Sequence, residues 1–502
     1  MLNEPIYAPV VLISNTTLMT VAAYGGRAKC AQRLIRLDMP VPTTVALAFT
    51  VVHDIAMGGS IDLSSVLQHF EEHPLISVRP SSASPDWGGP GAILNIGMND
   101  KKFSVLSKKI GEVAAATLYL RFVNSYATHV ARLDPDAFED LEKPLVADVK
   151  AALTIYEEEA DEPFPQDVDV QLAHVLRSMA RAWEGTSARL LRQAKGAPAD
   201  AGLGLVVQEM AIGVGHGECG SGVIQFASSE TGLPEIHGRY LRQSQGREAL
   251  DRQGGSLYLT SDSRGASLED TCPEVFAQLL AHSVLARQRL REEMQIEFTI
   301  ENGELTILDA VRIQRSSRAA VRVAVALADD KVISREEALM RVEPKALSEL
   351  LHRQVAPNAL RKIMSKGIPA SPGAATGKIV FTASDAQACA ARDEAAVLVR
   401  RETGPEDIRG MHAAVAVVTE RGGVTSHAAV IGRGLGLPCV VGASDMSIDA
   451  QGAVIIGRGQ QILREGDIIT IDGTSGEILV GHVETVEAGL DSSVKTLLGW
   501  AD

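Results

Sequence analysis

The sequence predicts a multidomain protein of mixed α/β and α+β architecture, and three observations lead to this fold class. First, 502 residues are too many for a single hydrophobic core, so about three domains are expected. Second, short apolar runs separated by Gly/Pro turns give way, between residues 103 and 196, to apolar residues at helical spacing. Third, residues 367–483 form a Gly- and Val/Ile-rich block that is typical of a compact β/α domain.

Individual elements follow from the same patterns. Strands are expected at Pro9–Ile13, Leu75–Val78, Leu203–Gln208 and Gly222–Phe226. Helical spacing is seen in two groups, Leu106, Ile110, Val113, Leu120 and Val123, and then Leu172, Leu176, Met179 and Trp183. We therefore divide the chain into an N-terminal subdomain (1–102), a helical insert (103–196), a second subdomain (197–345), a linker (346–366), the β/α block (367–483) and a tail (484–502).

The charge balance and the cysteines limit partners and location. With 63 acidic and 48 basic residues the net charge is −15, which repels nucleic acids and anionic membranes, so neither is an expected partner. The five scattered cysteines form no C-x-x-C pair and fit a reducing compartment. The apolar stretch Ala8–Ser14 is too short to span a bilayer. A cytoplasmic protein is therefore predicted, and a homodimer is compatible with these observations.

The strongest motif is the string Arg421-Gly-Gly-Val-Thr-Ser-His-Ala-Ala-Val-Ile-Gly-Arg433. Its two glycines permit a tight turn, and Thr425 or Ser426 can cap the helix that follows. His427 then lies in the first helical turn, where free amide N–H groups and the helix dipole favour a phosphate. A neutral imidazole is a nucleophile whose phosphoryl adduct can be passed on. The alternative, a histidine that only caps or fills space, leaves the rest of the motif unexplained.

A hairpin is predicted at Gln295–Ile313, with its turn at Glu301-Asn302-Gly303-Glu304. A two-residue Asn-Gly turn would pair Glu297 with Leu308, whereas a three-residue turn with a Gly bulge would pair Glu297 with Asp309. We predict the bulged register, in which Glu297 and Asp309 could hold Mg²⁺ through hard oxygen ligands. This register also groups Ile296, Phe298, Ile300, Leu308 and Ala310 on one apolar face. The alternative is a pair of solvated acids on an exposed hairpin face.

A glycine loop lies in the N-terminal subdomain. Gly88, Gly89 and Gly91 could lay backbone N–H groups against phosphates, and Arg79 just ahead of the loop supplies a cation. Taken alone, a Gly/Pro-rich loop is more often a simple turn. The loop indicates a phosphate site only together with the motifs around it.

Together these motifs resemble the pyruvate phosphate dikinase and phosphoenolpyruvate synthase family. Residues 366–482 are similar to its swivelling phosphohistidine domain in three segments, Lys366–Gly377, Glu402–Asp407 and Gly422–His427. The N-terminal half resembles its ATP-grasp domain at Gly25–Lys29, Ser77–Pro80, Trp87–Gly91 and Ile296–Thr299. The resemblance implies an ATP-grasp-like N-terminal region with a helical insert, followed by a compact phosphohistidine swivelling domain.

The resemblance also assigns site residues. It implies that His427 is the phosphorylated residue and that Thr425 is its catalytic neighbour. It implies that ATP is the substrate, with AMP released, and that Mg²⁺ is bound through Glu297 and Asp309. The implied nucleotide-binding residues are Arg27, Arg79, Gly88, Gly89, Glu297 and Asp309.

The phosphoryl acceptor and the state of the ATP site remain open at this stage. The tail resembles the linker helix that leads into the family's phosphoenolpyruvate/pyruvate barrel, and the chain then stops. The acceptor is therefore expected to be a separate barrel-domain protein or a small molecule. Several positions where the family has charged ATP-site residues differ here, namely Ala83, Ala227, Arg239 and Val311. The alternative function is a phosphocarrier or scaffold with a degenerate ATP-grasp domain, phosphorylated by a partner or from phosphoenolpyruvate.

Overall fold

The chain folds into two compact units, as seen in a computed structural model that describes residues 7–138, 146–246, 256–263, 265–350, 352–356, 358–423, 425–449, 454–456, 462–486 and 492–501. The first unit comprises the residues up to Ser228 together with Pro234–Ile313, and the second comprises Ser229–Leu233 and the residues from Gln314 onwards. Each unit combines helices and sheets. This architecture confirms the predicted α/β and α+β multidomain class.

The first unit opens with a sheet in which, over the described residues, five neighbouring strands run antiparallel. Their spatial order is β1 (Val10–Leu12), β2 (Thr44–Leu47), β5 (Leu203–Glu209), β3 (Ile76–Ser82) and β4 (Ile93–Ile96). Strands β2 and β5 are buried along almost their whole length, as expected of central strands that are covered on both faces. The helices α1 (Val21–Ile35), α2 (Phe49–Ala56) and α3 (Ser64–Leu67) belong to this part of the chain.

The helical insert consists of α4 (Asp100–Ile110), α5 (Glu112–Tyr126), α6 (Val146–Ala160), α7 (Val168–Glu184) and α8 (Thr186–Ala194). Gly111, at φ 93°, separates α4 from α5, and Val113 is exposed although helical spacing had grouped it with the buried residues. Leu172, Leu176, Met179 and Trp183 are buried on α7 as predicted. None of the helices in the described part of the chain is both long and apolar enough to cross a bilayer.

A second antiparallel sheet completes the first unit. Among the described residues its strands follow the order β10 (Glu304–Arg312), β9 (Met294–Glu301), β6 (Gly220–Ala227), β7 (Pro234–Arg242) and β8 (Ser256–Leu257). After the short helix α9 (Leu268–Thr271), the long helix α10 (Pro273–Leu290) packs on β9 and β10. Its buried residues meet the apolar face of the hairpin and so hold β9 and β10 in place.

The β9–β10 hairpin has the predicted carboxylate pairing but not the predicted turn. Glu297 is paired with Asp309, as expected. The three-residue turn is wrong, because Asn302 and Gly303, at φ 51° and 83°, form a two-residue turn that matches the twist of the strands. The shift in register comes instead from a bulge between Ile307 and Asp309. Ile307 is therefore fully buried in the apolar face, whereas Leu308 is only half-buried.

The second unit is built on a sheet of eight strands within the described residues. Their spatial order is β12 (Ile363–Lys366), β22 (Glu477–Val480), β21 (Ile468–Asp472), β14 (Ala374–Val380), β15 (Ala396–Arg400), β16 (Ala416–Thr419), β17 (Cys439–Val441) and β13 (Ile368–Ser371). Strands β14 to β17 are parallel, so their crossovers carry α14 (Ala383–Ala391), α15 (Ile408–Ala413) and α16 (His427–Leu435). Strands β18 (Ser447–Ile448), β19 (Val454–Ile456) and β20 (Ile462–Arg464) form a small sheet of their own.

The second unit also contains the helices α11 (Ser317–Asp329), α12 (Arg335–Arg341), α13 (Pro344–Leu350) and α17 (Ser492–Gly499). The tail helix α17 packs on α11 with Val494 and Leu497 buried, and the Arg335 guanidinium lies 5.4 Å from the centre of the Trp500 ring. Strand β11 (Gln354–Val355) pairs with β23 (Thr485–Val486). The linker and tail segments named from the sequence therefore meet within the second unit.

Candidate functional site

His427 is the first residue of helix α16, as the motif predicts. Of the two candidate caps, Ser426 takes the role, because its hydroxyl accepts a hydrogen bond from the backbone N–H of Ala429 at 3.4 Å. Thr425 is exposed beside it. Gly422 has φ 122°, which favours glycine, and lets the backbone turn into the helix. The loop thus presents the histidine at the N-terminus of a helix, where backbone N–H groups can receive an anion.

Small residues let this helix pack closely on the sheet, while its first residue lies at the surface. Ala428, Ala429 and Gly432 are buried, and a Cβ atom at Gly432 would lie 3.0 Å from Cβ of Cys439. His427 itself is exposed. Across the described residues, its ring takes part in no hydrogen bond and no ion pair. The imidazole is therefore accessible and free to react.

The first unit brings two arginines and two carboxylates together. Arg27 on α1 donates from Nε to Oδ2 of Asp309 at 2.7 Å, and Arg79 on β3 donates from Nη2 to Oε2 of Glu297 at 2.7 Å. Gly25 makes the approach of α1 possible, because a Cβ atom there would lie 1.9 Å from the Ser81 carbonyl oxygen. The two arginines are far from the two carboxylates in the sequence. The fold of the first unit brings the four side chains together.

This assembly borders a cavity of about 240 Å³ that is lined by Arg27, Arg79, Glu297 and Asp309 among others. Nη1 of Arg79 and Oε1 of Glu297 are buried, and neither has a hydrogen-bond partner in the described part of the structure. Burial lowers the pKa of Arg79, but Glu297 and Asp309 raise it by more, so this guanidinium stays charged. Buried polar atoms without partners cost free energy. A ligand with both acceptor and cationic groups would satisfy them.

A second cavity, of about 330 Å³, shares Arg27, Pro80 and Asp309 with the first. Gly88, Lys29 and Arg312 also line it, so further cations border this space. Gly89 lines neither cavity, and a Cβ atom there would lie 3.6 Å from the Trp183 ring. The structure thus groups Arg27, Arg79, Gly88, Glu297 and Asp309, and it leaves Gly89 outside.

Sequence reasoning missed two residues of the smaller cavity, Arg121 on α5 and Gln245. Arg121 donates a hydrogen bond to the Gln245 carbonyl, and the Gln245 side chain exchanges hydrogen bonds of 2.8 and 2.9 Å with Asn95. Arg121 could have been noticed, because it is a lone cation between buried Leu120 and Phe122 in an apolar helix. Gln245 carries no such signal.

The donor set fits a magnesium–nucleotide complex. No cluster of three or more metal-binding side chains is found in the described ranges. Mg²⁺ needs fewer, since it usually takes one or two carboxylates and completes its shell with phosphates and water. Oε1 of Glu297 is available, whereas Oδ1 of Asp309 accepts from the Ala310 N–H at 2.9 Å and Oδ2 accepts from Arg27. The arginines supply the charge that phosphates require.

Comparison with known proteins shows what this chain is similar to. The family described as "PEP-utilising enzyme, mobile domain" matches residues 392–476, which include His427. The chain is 35% identical over 456 residues to a pyruvate, phosphate dikinase of Rhizobium meliloti (strain 1021), covering 85% of this chain and 50% of that protein. It is 34% identical over 453 residues to the pyruvate, phosphate dikinase of Clostridium symbiosum, covering 86% and 51%.

The chain is similar to a plant protein to the same degree. The chain is 33% identical over 450 residues to "Pyruvate, phosphate dikinase 1, chloroplastic" of Oryza sativa subsp. japonica, covering 85% of this chain and 46% of that protein. Residues 392–476 of the second unit therefore match the mobile domain of PEP-utilising enzymes. Over about 85% of its length the chain is similar to pyruvate, phosphate dikinases, as its motifs predicted. It spans about half the length of the curated relatives it matches.

Proposed function

We propose that this protein is a phosphotransferase that carries a phosphoryl group on His427. The observation that carries the proposal is the exposed imidazole at the N-terminus of α16, with no partner among the described residues. A ring nitrogen attacks phosphorus, an N–P bond forms, and the P–O bond to the leaving phosphate breaks with its electron pair on the leaving oxygen. Backbone N–H groups of the first helical turn offset the charge of the transferred group.

The phosphoryl donor that we propose is ATP, bound in the first unit. Arg27 and Arg79 would bind phosphate oxygens, and Gly88 borders the adjoining cavity that Arg27 also lines. Glu297 and Asp309 would hold Mg²⁺, which supplies charge neutralisation at the phosphates. The orphaned Arg79 Nη1 and Glu297 Oε1 support this assignment, because a phosphate oxygen and a cation would each satisfy one of them. By the family resemblance, attack falls on the β-phosphate and AMP is released, so the β- and γ-phosphates would move to the ring together. Transfer of the γ-phosphate to water or inorganic phosphate would then leave the single phosphoryl group on His427.

The acceptor would be either a separate barrel-domain protein or a small molecule. The relatives are named for pyruvate and phosphate, so a phosphoenolpyruvate-forming partner is the first acceptor to test. All five cysteines are free thiols, which accords with the cytoplasmic location that we propose.

A second function is favoured by one specific observation. Both candidate metal-binding carboxylates are already paired with arginines, Arg27 with Asp309 and Arg79 with Glu297. A nucleotide would have to compete with these ion pairs for the cations. If the pairs persist, the first unit is a scaffold with a degenerate site, and His427 is phosphorylated by a partner or from phosphoenolpyruvate.

Labelling separates the two functions. The protein is incubated with Mg²⁺ and with ATP labelled at either the β- or the γ-phosphate, and acid-labile label on the chain is measured. We expect label from the β-position on the wild type and none on His427→Asn. His412→Asn is the matched control, because His412 is another exposed histidine of the same unit.

Label on His427→Asn would refute the carrier role of this residue. Label from phosphoenolpyruvate plus a dikinase barrel domain, with none from ATP, would establish the second function instead.

A further inference from the structure

The helical insert contains a cavity of about 420 Å³ to which the phosphohistidine chemistry assigns no role. Its polar lining comes from two places. Helix α7 contributes His174, Arg177, Ser178 and Arg181, whose spacing of three, four and seven residues puts them on one face. The π-helical turn Ala127–Ala131 that extends α5 ends in Arg132, which also lines the cavity. Such turns within helices are frequent at functional sites.

The walls of this cavity are held by hydrogen bonds. The Tyr126 hydroxyl lies 2.6 Å from Nδ1 of His174, and the Ser178 hydroxyl donates to the His129 carbonyl at 2.7 Å. The second bond ties α7 to the π-helical turn. Below them, Tyr126 and Tyr156 contact Phe164 edge-on at ring-centre distances of 5.2 Å each. Tyr126, Tyr156, His174 and Ser178 are therefore held in place before any ligand binds.

One polar side chain of the lining has no hydrogen-bond partner among the described residues. Tyr156 is only 1% exposed and lines the space, yet in the described structure its hydroxyl makes no hydrogen bond. The Tyr126 hydroxyl, in contrast, already engages Nδ1 of His174, so Nε2 is the ring nitrogen that remains.

The charge of the lining indicates the class of ligand. Arg132, Arg177 and Arg181 face a single lining acid, Glu162, which leaves a net charge of +2. No hydrogen bond or ion pair engages these three guanidinium groups within the described residues. This excess is notable because the chain as a whole carries a charge of −15. A phosphate group carries about two negative charges near neutral pH, and guanidinium groups bind it through paired hydrogen bonds.

We propose that this cavity binds a phosphate-bearing anion of metabolite size. The arginines of α7 and the π-helical turn bind the phosphate, and the Tyr156 hydroxyl donates to an acceptor on the same molecule. The volume of the cavity lies in the range of small-molecule sites, about 300–1,000 Å³. None of its arginines lines either cavity beside Glu297 and Asp309, so this site is separate from the nucleotide site proposed above.

Histidine NMR tests the proposal at the site itself. The full chain is labelled on its histidine rings, and the His174 signal is identified by its loss in His174→Gln. Inorganic phosphate is then titrated at constant ionic strength, with chloride as the comparison. We expect a saturable shift of the His174 signal with phosphate and none with chloride. The double variant Arg177→Gln/Arg181→Gln should raise the phosphate concentration at half-saturation by at least about tenfold.

Lys150→Gln is the matched control, because Lys150 is an exposed cation on the neighbouring helix α6 and does not line the cavity. It should titrate like the wild type. The exposed arginines are not part of the core, so all variants should fold, and the remaining histidine signals report this directly. A His174 signal that stays fixed, responds equally to chloride, or shifts unchanged in the double variant would overturn the proposal.

Discussion

The cavity of the first unit and the histidine loop of the second unit handle charge in opposite ways. Arg79 and Glu297 have side chains only 9% and 12% exposed, and they are locked to each other. His427 is exposed, and no described residue engages its ring. Arg79 and Glu297 are therefore paired before any ligand arrives, whereas the His427 ring has no partner among the described residues.

This difference shows what each region contributes. Buried charges must be paired, so a binding cavity of this kind also stabilises the fold, and its residues cannot be removed singly without cost. An exposed nucleophile at a helix N-terminus carries little of the fold's stability, because its neighbours do the packing. We expect substitutions in the cavity to affect stability strongly and substitutions in the loop to affect mainly phosphoryl transfer.

The largest stability effect is expected from breaking the buried pair. Arg79→Met leaves the Glu297 carboxylate buried without its counter-charge, which should lower the free energy of unfolding by about 3–5 kcal/mol. Adding Glu297→Leu removes the stranded charge, so the double variant should regain most of this loss. Urea unfolding monitored by circular dichroism measures the free energy of unfolding of the single and the double variant.

The control for this pair is Arg189→Met, whose partnership with Glu184 is half exposed, at 49% and 25%. Its cost should stay below about 1 kcal/mol. If Arg79→Met costs no more than Arg189→Met, the cavity is not a locked charge network and the contrast between the two regions disappears.

A smaller effect is expected at the cap of the histidine helix. Ser426→Ala removes the hydroxyl that accepts from the Ala429 N–H and should lower the unfolding free energy of the second unit by about 1 kcal/mol. Labelling of His427 should also fall, because the first turn of α16 that presents the ring becomes less ordered.

Two companion variants sharpen this test. Thr425→Ala, at the exposed neighbour that does not cap the helix, should change stability by less than about 0.5 kcal/mol. Ser426→Asn retains a capping side chain and should restore stability. Equal losses for Thr425→Ala and Ser426→Ala would show that Ser426 is not the cap.

The smallest effect concerns a buried carboxylate of the second unit. Burial raises the pKa of Glu477, but Lys366 at 2.7 Å and Arg361 at 3.2 Å lower it by more, so the net shift is downward from 4.5. A lowered pKa means stability that is present above 4.5 and is lost as the pH falls through the lower value. Glu477→Gln should therefore reduce the melting temperature at neutral pH and flatten its decline in acid.

Glu394→Gln is the comparison, because Glu394 also contacts two cations but is 33% exposed. Its effect should be smaller, since solvent screens the interaction. A larger effect of Glu394→Gln, or a wild-type acid decline that Glu477→Gln leaves unchanged, would contradict this account.

Local sequence patterns predicted a large part of the fold and of the candidate site. The helix that begins at His427 and its small buried residues follow from short-range rules, whereas the pairing of Glu297 with Asp309 does not. The hairpin shows the limit of such rules. The predicted pairing of Glu297 with Asp309 is correct, but the predicted three-residue turn is wrong. A bulge before Asp309 depends on how β10 packs, and turn residues do not encode it.

The sequence alone thus determined the fold class and the similarity to the dikinases, and it predicted His427 as the phosphorylated residue, because each rests on contiguous motifs. Only the tertiary structure decided which charges meet. Arg27 and Asp309 are 282 positions apart in the sequence. Arg121 and Gln245 also line their cavity, and no local sequence pattern predicts this. Contacts between distant segments depend on how whole sheets and helices pack, so the composition of the cavity became known only with the fold.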